Sequence, residues 1–190
     1  AICLQSVLCK LMDILILQKE ETSLNTSDLQ FGFKKKLSAL LATSVVSSTA
    51  DYYIENGGIV YGLALDATKA FDRVDLLKLF TVLLSRKVNP LYIRLLFTMY
   101  RNQTLCVQFG GIKSECFTAS NGVKQGGVLS PTLFALYVDG LIEKLSLSNA
   151  GCCVGDNYCG CIGYADDIML LSPTQTALRK MVTICEEYAD

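Results

Sequence analysis

Histidine is absent from the 190 residues of this sequence, and its absence bears on the role of the nine cysteines. Four of these cysteines cluster at Cys152, Cys153, Cys159 and Cys161. Without histidine, and with a C-C-x5-C-x-C spacing, the cluster does not match the usual ligand spacing of a zinc site. We therefore interpret the cysteines as reduced, partly buried thiols of an intracellular protein.

The sequence also lacks a long apolar run, a signal peptide and an excess of positive charge. Charged or polar residues interrupt every apolar run well short of the roughly 20 residues that a membrane span requires. The N-terminal segment has no basic start followed by an apolar stretch and a cleavage site. The net charge of −1 is atypical of a free-standing nucleic-acid-binding domain. The basic run Lys34–Lys36 is by itself more typical of a solvated face.

What is present indicates a folded domain, because apolar residues make up 51% of the chain and charged residues 18%. Hydrophobic periodicity and turn residues predict the secondary structure. The predicted helices are 1–20, 37–55, 74–84, 91–101, 132–146 and 174–188, and the predicted strands are 59–65, 104–111, 114–120 and two strands within 159–172. From residue 57 onward this order predicts an α+β domain of the split βαβ, ferredoxin-like type, an antiparallel sheet with helices on one face.

The first candidate motif is LALDATKAFDRVD, residues 63–75. Asp66 follows the predicted strand directly, so its carboxylate would project from the carboxyl end of that strand. Phe71 and Asp72 follow where the chain turns into a helix. The simpler interpretations are that Asp66 or Asp72 caps the helix and that Phe71 belongs to the core.

The second motif is NGVKQGGVLSPTLFALYVDGL, residues 121–141, in which a Gln-Gly-Gly loop precedes a helix that begins near Pro131. Glycine lets a backbone approach a ligand closely, and the start of a helix favours anions such as phosphates. A tight turn with a capping serine is the simpler interpretation.

The third motif is CIGYADDIMLLS, residues 161–172, in which Asp166 and Asp167 interrupt an apolar run that is long enough for a buried strand. Burying two unpaired carboxylates costs several kcal/mol each or forces a pKa shift. We therefore expect a compensating divalent cation, and oxygen ligands suit Mg²⁺. A β-turn that uses aspartate for its geometry is the alternative.

In this order, with helices between them, the three motifs resemble the palm of a reverse transcriptase, and specifically the LINE-type (non-LTR) retrotransposon group. The segment QFGFKKKLSA, residues 30–39, resembles the fingers segment of that group. The resemblance extends over nearly the whole chain. It implies an RNA-directed DNA polymerase, a nucleotidyltransferase that extends a primer on an RNA template during retrotransposition.

The resemblance also implies a metal site. Asp66 and Asp166 would be the principal ligands of two Mg²⁺ ions, with Mn²⁺ as a substitute, and Asp167 would complete the cluster. The backbone carbonyl of Ala67 would assist the second ion.

Four further residues match positions of the family that contact the substrates. Phe71 matches the steric gate, whose ring excludes a ribose 2′-hydroxyl. Gln125 and Gly126 match the loop that lines the incoming nucleotide and the template. Tyr164 matches the tyrosine of the YxDD motif, which lies near the primer end.

The same resemblance suggests how the chain is organised and what it binds. Residues 1–56 would be part of the fingers and residues 57–190 the palm, with the basic fingers residues, the thumb and an endonuclease domain elsewhere in the polyprotein. The expected partners are the RNA template, the DNA primer and dNTPs, in nucleus and cytoplasm and without a membrane. The isolated fragment is expected to be inactive. Ala39 stands where the family has threonine, which suggests a diverged copy.

Two alternatives stay open. The chain could be a catalytically silent palm remnant that serves only as a structural or binding module. It could also be another two-metal phosphoryl-transfer enzyme, such as a nuclease or nucleotide cyclase. Phe71 and the QGG-x2-SP loop argue against the second alternative, since a nuclease needs no sugar gate.

Overall fold

Helices form where apolar periodicity and capping side chains coincide. In this computed structural model, which describes residues 3–101, 103–119 and 121–189, the side chains of Ser6, Ser38 and Asp75 accept hydrogen bonds from the first turns of their helices. The helices of the described residues are α1 (Val7–Lys19), α2 (Ala39–Glu55), α3 (Leu76–Ser85), α4 (Pro90–Arg101), α5 (Ser130–Leu147) and α6 (Gln175–Ala189). A 3₁₀ turn, Ala70–Arg73, precedes α3.

The strands form one three-stranded sheet and three small hairpin ladders. The strands of the described residues are β1 (Tyr61–Asp66), β2 (Thr104–Leu105), β3 (Gln108–Phe109), β4 (Ile112–Lys113), β5 (Phe117–Thr118), β6 (Cys153–Val154), β7 (Asn157–Tyr158), β8 (Cys161–Tyr164) and β9 (Asp167–Ser172). The larger sheet is antiparallel in the order β1-β9-β8, and the ladders pair β2 with β5, β3 with β4, and β6 with β7.

Most predicted elements are present with small shifts of their ends. The predicted strands 104–111 and 114–120 form a hairpin around a Gly110–Gly111 turn. Its pairing is broken into two short ladders, β3 with β4 next to the turn and β2 with β5 further from it. The hairpin of β6 and β7 was not predicted. Ala1, Ile2 and Ser120, which the predicted helix 1–20 and strand 114–120 include, lie outside the described residues.

The chain folds into two compact units, and each unit combines two separate segments. One unit contains residues 26–68 and 138–190 and includes the three-stranded sheet. One cluster on this sheet contains Cys161, Ile168, Leu170, Ile142 and Leu145 of α5, and Met181 of α6. A second cluster contains Ile162, Phe31 and Ala42 of α2, with Met169 packed against it.

These clusters show that both faces of the sheet are covered. Successive side chains of a strand point to opposite faces, so Leu170 faces α5 and α6 while Met169 faces α2. The expected arrangement from residue 57 onward had helices on one face, the face that α5 and α6 cover here. The other face is covered by α2, which precedes residue 57, because apolar residues occupy both sets of alternating positions in β9.

The other unit contains residues 1–25 and 69–137. Its α3 and α4 pack together, with the rings of Phe80 and Phe97 edge to face at a centroid distance of 5.4 Å. Among the described residues, none of the helices combines the length and the apolar character that crossing a bilayer requires.

Candidate active site

The Asp-Asp motif forms a tight hairpin between β8 and β9. Tyr164 pairs with Asp167, so Ala165 and Asp166 form a two-residue turn. Ala165 has a φ of 60°, a left-handed conformation at the first central position of the turn. That position of a type II′ hairpin turn favours glycine, because a Cβ atom is strained there. The hairpin therefore ends in a strained residue, directly before Asp166.

The ladder between β1 and β9 brings two predicted ligands into register. Asp66 ends β1 and lies directly opposite Asp167 of β9 in the antiparallel ladder. Side chains at such opposite positions have Cβ atoms about 5 Å apart and interact. Asp166 occupies the adjacent turn. Within the described residues, none of these three carboxylates makes an ion pair with a lysine or arginine.

The three carboxylates are less buried than the sequence suggested. Asp66 and Asp167 are exposed and Asp166 is half-buried, although Cys161–Gly163 of β8 and most of β9 are buried. The predicted turn between two apolar strands is present, but the expected burial of the two carboxylates was wrong, because at this turn Asp167 is exposed and Asp166 is only half-buried. The charges repel each other across the ladder, and this repulsion, rather than burial, is what a cation would relieve.

The donor chemistry of this group suits a hard cation, since it offers only carboxylate oxygens. Among the described residues, however, no group of three or more histidine, cysteine, aspartate or glutamate side chains is arranged so that it could hold one ion. Asp66 and Asp167 provide an opposed pair, and the third carboxylate stands one residue away in the turn.

Ala67 and Tyr164 flank the same group. Ala67 follows the last residue of β1 and is exposed. Tyr164 is the last residue of β8, 36% exposed, and pairs with Asp167. With the three carboxylates, these two residues lie in the unit that contains residues 26–68 and 138–190.

Phe71, Gln125 and Gly126 lie in the other unit. Phe71 is half-buried in the 3₁₀ turn, and its ring stacks on Phe134 with a centroid distance of 4.9 Å and an angle of 18° between the planes. The amide of Val123 donates a hydrogen bond of 2.8 Å to the carbonyl of Phe71. The ring and the backbone of Phe71 therefore both have fixed neighbours.

Two residues of the Gln-Gly-Gly loop are exposed to solvent, and the third, Gly127, is held by a backbone hydrogen bond. Gln125 and Gly126 are exposed, and Gly126 has a φ of 104°. The amide of Gly127 donates to the carbonyl of Lys124 at 2.9 Å, which closes the turn. The predicted helix follows as α5, which begins at Ser130 with Pro131 in its first turn.

Asp13 of α1 supports this loop and was not identified from the sequence. Its buried carboxylate accepts a hydrogen bond from the amide of Leu129 at 3.3 Å, just before α5 begins. Burial raises the pKa of Asp13, although hydrogen bonds from Leu129, Gln5 and Val128 and the positive charge of Lys124 oppose the rise. The periodicity of α1 gave a faint signal, since Asp13 is three residues before the buried Ile16 on the same face.

Comparisons with known proteins identify a matching family and similar relatives. The family described as "Reverse transcriptase (RNA-dependent DNA polymerase)" matches residues 1–190. The Nasonia vitripennis "Retrovirus-related Pol polyprotein from type-1 retrotransposable element R2" is 32% identical over 128 residues, which cover 67% of this chain and 12% of that protein. The Drosophila melanogaster "Retrovirus-related Pol polyprotein from type-2 retrotransposable element R2DM" is 26% identical over 181 residues, 95% of this chain and 17% of that protein.

Solved structures show a similar fold. A structure of telomerase from Candida albicans in complex with a fragment of telomeric RNA has a TM-score of 0.60 at 12% identity, over 95% of this chain and 33% of that one. Apo telomerase from Candida tropicalis, truncated from its C-terminal domain, has a TM-score of 0.63 at 12% identity, over 96% and 37%. The chain thus spans a small part of the polyproteins and about a third of the telomerase chains that it matches.

Proposed function

Because this chain belongs to the reverse transcriptase (RNA-dependent DNA polymerase) family, we propose that it supplies the nucleotidyl-transfer centre of a non-LTR retrotransposon polymerase. Its similarity to R2 Pol polyproteins supports the retrotransposon assignment. The observation that supports the centre best is the register of Asp66 opposite Asp167, with Asp166 in the adjoining turn. We further propose that residues 57–190 form a palm of the split βαβ type and that residues 1–56 form part of the fingers.

In this proposal Asp66 and Asp166 are the principal metal ligands, and Asp167 and the carbonyl of Ala67 complete the set. When bound there, two Mg²⁺ ions, or Mn²⁺ in their place, would activate the primer 3′-hydroxyl and neutralise the triphosphate of a dNTP. The ladder between β1 and β9 orients the carboxylates before the substrate arrives, so the chain spends little free energy on their alignment during the reaction.

The remaining site residues would select and position the substrates. Phe71 would exclude a ribose 2′-hydroxyl, and its stack on Phe134 keeps the ring in one position, which a steric gate requires. The exposed Gln125 and Gly126 would line the incoming nucleotide and the template. Tyr164, partly exposed beside Asp167, would contact the primer end.

Primer extension tests this proposal. The full-length protein, an RNA template with an annealed DNA primer, dNTPs and Mg²⁺ should yield extended DNA, and Asp166→Ala should abolish the product. Asp156→Asn, which removes an exposed aspartate from the turn between β6 and β7, should leave extension intact. A folded wild-type protein that binds the primer-template but extends nothing would contradict the polymerase and favour the silent palm remnant. Cleavage of the nucleic acid without extension would favour the nuclease.

A further inference from the structure

Gln30 is a fully buried polar residue that contacts the turn of the Asp-Asp hairpin. Its side-chain Oε1 accepts hydrogen bonds from the amides of Ala165 at 3.0 Å and Gly32 at 2.9 Å. Its Nε2 donates to the carbonyl of Ala165 at 3.3 Å. Both polar atoms of the side chain are therefore satisfied, and both backbone groups of Ala165 have the same partner.

The hydrogen bonds of Gln30 continue a backbone ladder. Residues 29–31 run parallel to β8, with the amide of Phe31 donating to Gly163 at 2.7 Å and the amide of Gly163 donating to Leu29 at 2.8 Å. Beyond Gly163 the chain turns at Ala165, and a second strand cannot follow that turn. The side-chain amide of Gln30 takes the place of the missing peptide group.

A close contact at Gly32 independently shows that the segment beside Gln30 packs directly on the Ala165 turn. A Cβ atom added at Gly32 would collide with the backbone nitrogen of Ala165 and lie 2.8 Å from its Cα atom. The segment 30–32 therefore fits against the turn only because residue 32 has no side chain. Gly32 and Ala165 are both buried.

Ala165 needs this support because its φ of 60° is unfavourable for a residue with a Cβ atom. Its backbone torsions also set the direction of Asp166, the next residue. We propose that Gln30 is a positioning residue that holds Ala165 in the left-handed conformation and thereby places the carboxylate of Asp166 for nucleotidyl transfer. This inference rests on the proposed polymerase function.

Gln30→Met in the full-length protein tests the proposal, because methionine has a similar volume but makes none of the three hydrogen bonds. The expected result is a fall in kcat of about 10- to 100-fold, the usual effect of losing an outer-shell partner. The KM for dNTP should change little, because Gln30 does not touch the nucleotide in this mechanism.

Met181→Ala is the matched control for lost stability. Met181 is fully buried in the same unit and lies in the cluster between α6 and the sheet. The Met181→Ala variant should lower the melting temperature at least as much as Gln30→Met does, and should leave kcat near the wild-type value. If Gln30→Met retains kcat within about twofold, or if Met181→Ala loses as much of it at equal stability, the positioning role is overturned.

Hydrogen exchange provides a readout that does not depend on activity. In the wild type the Ala165 amide is bonded to Gln30, so peptides that cover residues 161–168 should show protection there. Gln30→Met should remove this protection and leave that of the buried β8 residues unchanged. Unchanged protection at Ala165 would contradict the proposal. The two proposals can also fail separately. If the wild type extends no primer but Gln30→Met still loses the protection at Ala165, the polymerase function is overturned and the role of Gln30 in holding the turn is retained.

Discussion

Asp66 and Asp167 stand directly opposite each other at the ends of two paired strands, β1 and β9. Like charges at opposed positions of an antiparallel ladder destabilise the fold. Both residues are exposed, so solvent screens part of the repulsion. The arrangement is therefore slightly unfavourable by itself, and a cation bound between the two carboxylates would relieve the repulsion.

Asp66→Asn should raise stability in the absence of metal and remove catalysis. We expect the free energy of unfolding in EDTA to increase by about 0.5 kcal/mol, the scale of one cross-strand pair. Addition of Mg²⁺ should raise the melting temperature of the wild type and have a smaller effect on the variant, because only the wild type retains the opposed carboxylates. The control is Asp51→Asn, an exposed aspartate of α2. Equal Mg²⁺ shifts in all three proteins would exclude a metal site at Asp66.

Phe71→Val should weaken the discrimination between dNTP and rNTP in primer extension by about tenfold or more, because the smaller side chain leaves space for a 2′-hydroxyl. Phe97→Val is the matched control, since Phe97 is also half-buried, lies in the same unit and contacts one aromatic ring, that of Phe80. Both variants should lose comparable stability, and only Phe71→Val should change the ratio of kcat/KM for dNTP to kcat/KM for rNTP. A change of similar size in Phe97→Val would assign Phe71 to the core alone.

The sequence predicted local secondary structure better than the contacts between distant segments. α5, α6 and β1 were predicted within a few residues because their apolar periodicity is local information. The pairing of residues 29–31 with β8 was not predicted, because it joins segments more than 130 residues apart and leaves no local pattern. Gln30 and Asp13 were missed for a related reason, since a sequence carries at most a faint periodic signal that a polar side chain is buried and satisfied. The exposed fraction of Asp166 and Asp167 could not be predicted either, because it depends on how the β8–β9 turn packs against the rest of the chain.

Gly122→Ala should destabilise the protein more than a glycine replacement that strains the backbone alone. Gly122 has a φ of 87°, and an added Cβ atom would lie 2.8 Å from the carbonyl oxygen of Phe71. Gly110 has a φ of 57° and nothing within 4 Å of such an atom, so Gly110→Ala measures the backbone strain by itself. We expect a loss of about 1 to 2 kcal/mol for Gly110→Ala. Gly122→Ala should lose a further ~1 to 3 kcal/mol from the forced displacement of the Phe71 turn.

Urea unfolding of the two glycine variants provides these values. Because the displaced segment includes Phe71, Gly122→Ala should also reduce the discrimination between dNTP and rNTP, while Gly110→Ala should leave it unchanged. Equal losses of stability in the two variants would show that the turn moves away from the added methyl group without cost, and would leave the backbone strain as the whole effect.

Asp13→Asn should remove a pH dependence of stability and preserve the Gln-Gly-Gly loop. Burial raises the pKa of Asp13, so the folded state holds its proton at pH values where the unfolded chain, with a pKa of about 3.9, has released it. Folding stability should therefore be greatest below about pH 4 with respect to this group, and fall as the pH rises through the folded-state pKa. Asparagine has no proton to release, and its Oδ1 can still accept from the Leu129 amide. Subtracting the unfolding free energies of Asp13→Asn from those of the wild type between pH 3 and 8 should isolate this slope, and a difference that is flat across the range would show that Asp13 does not titrate differently on folding.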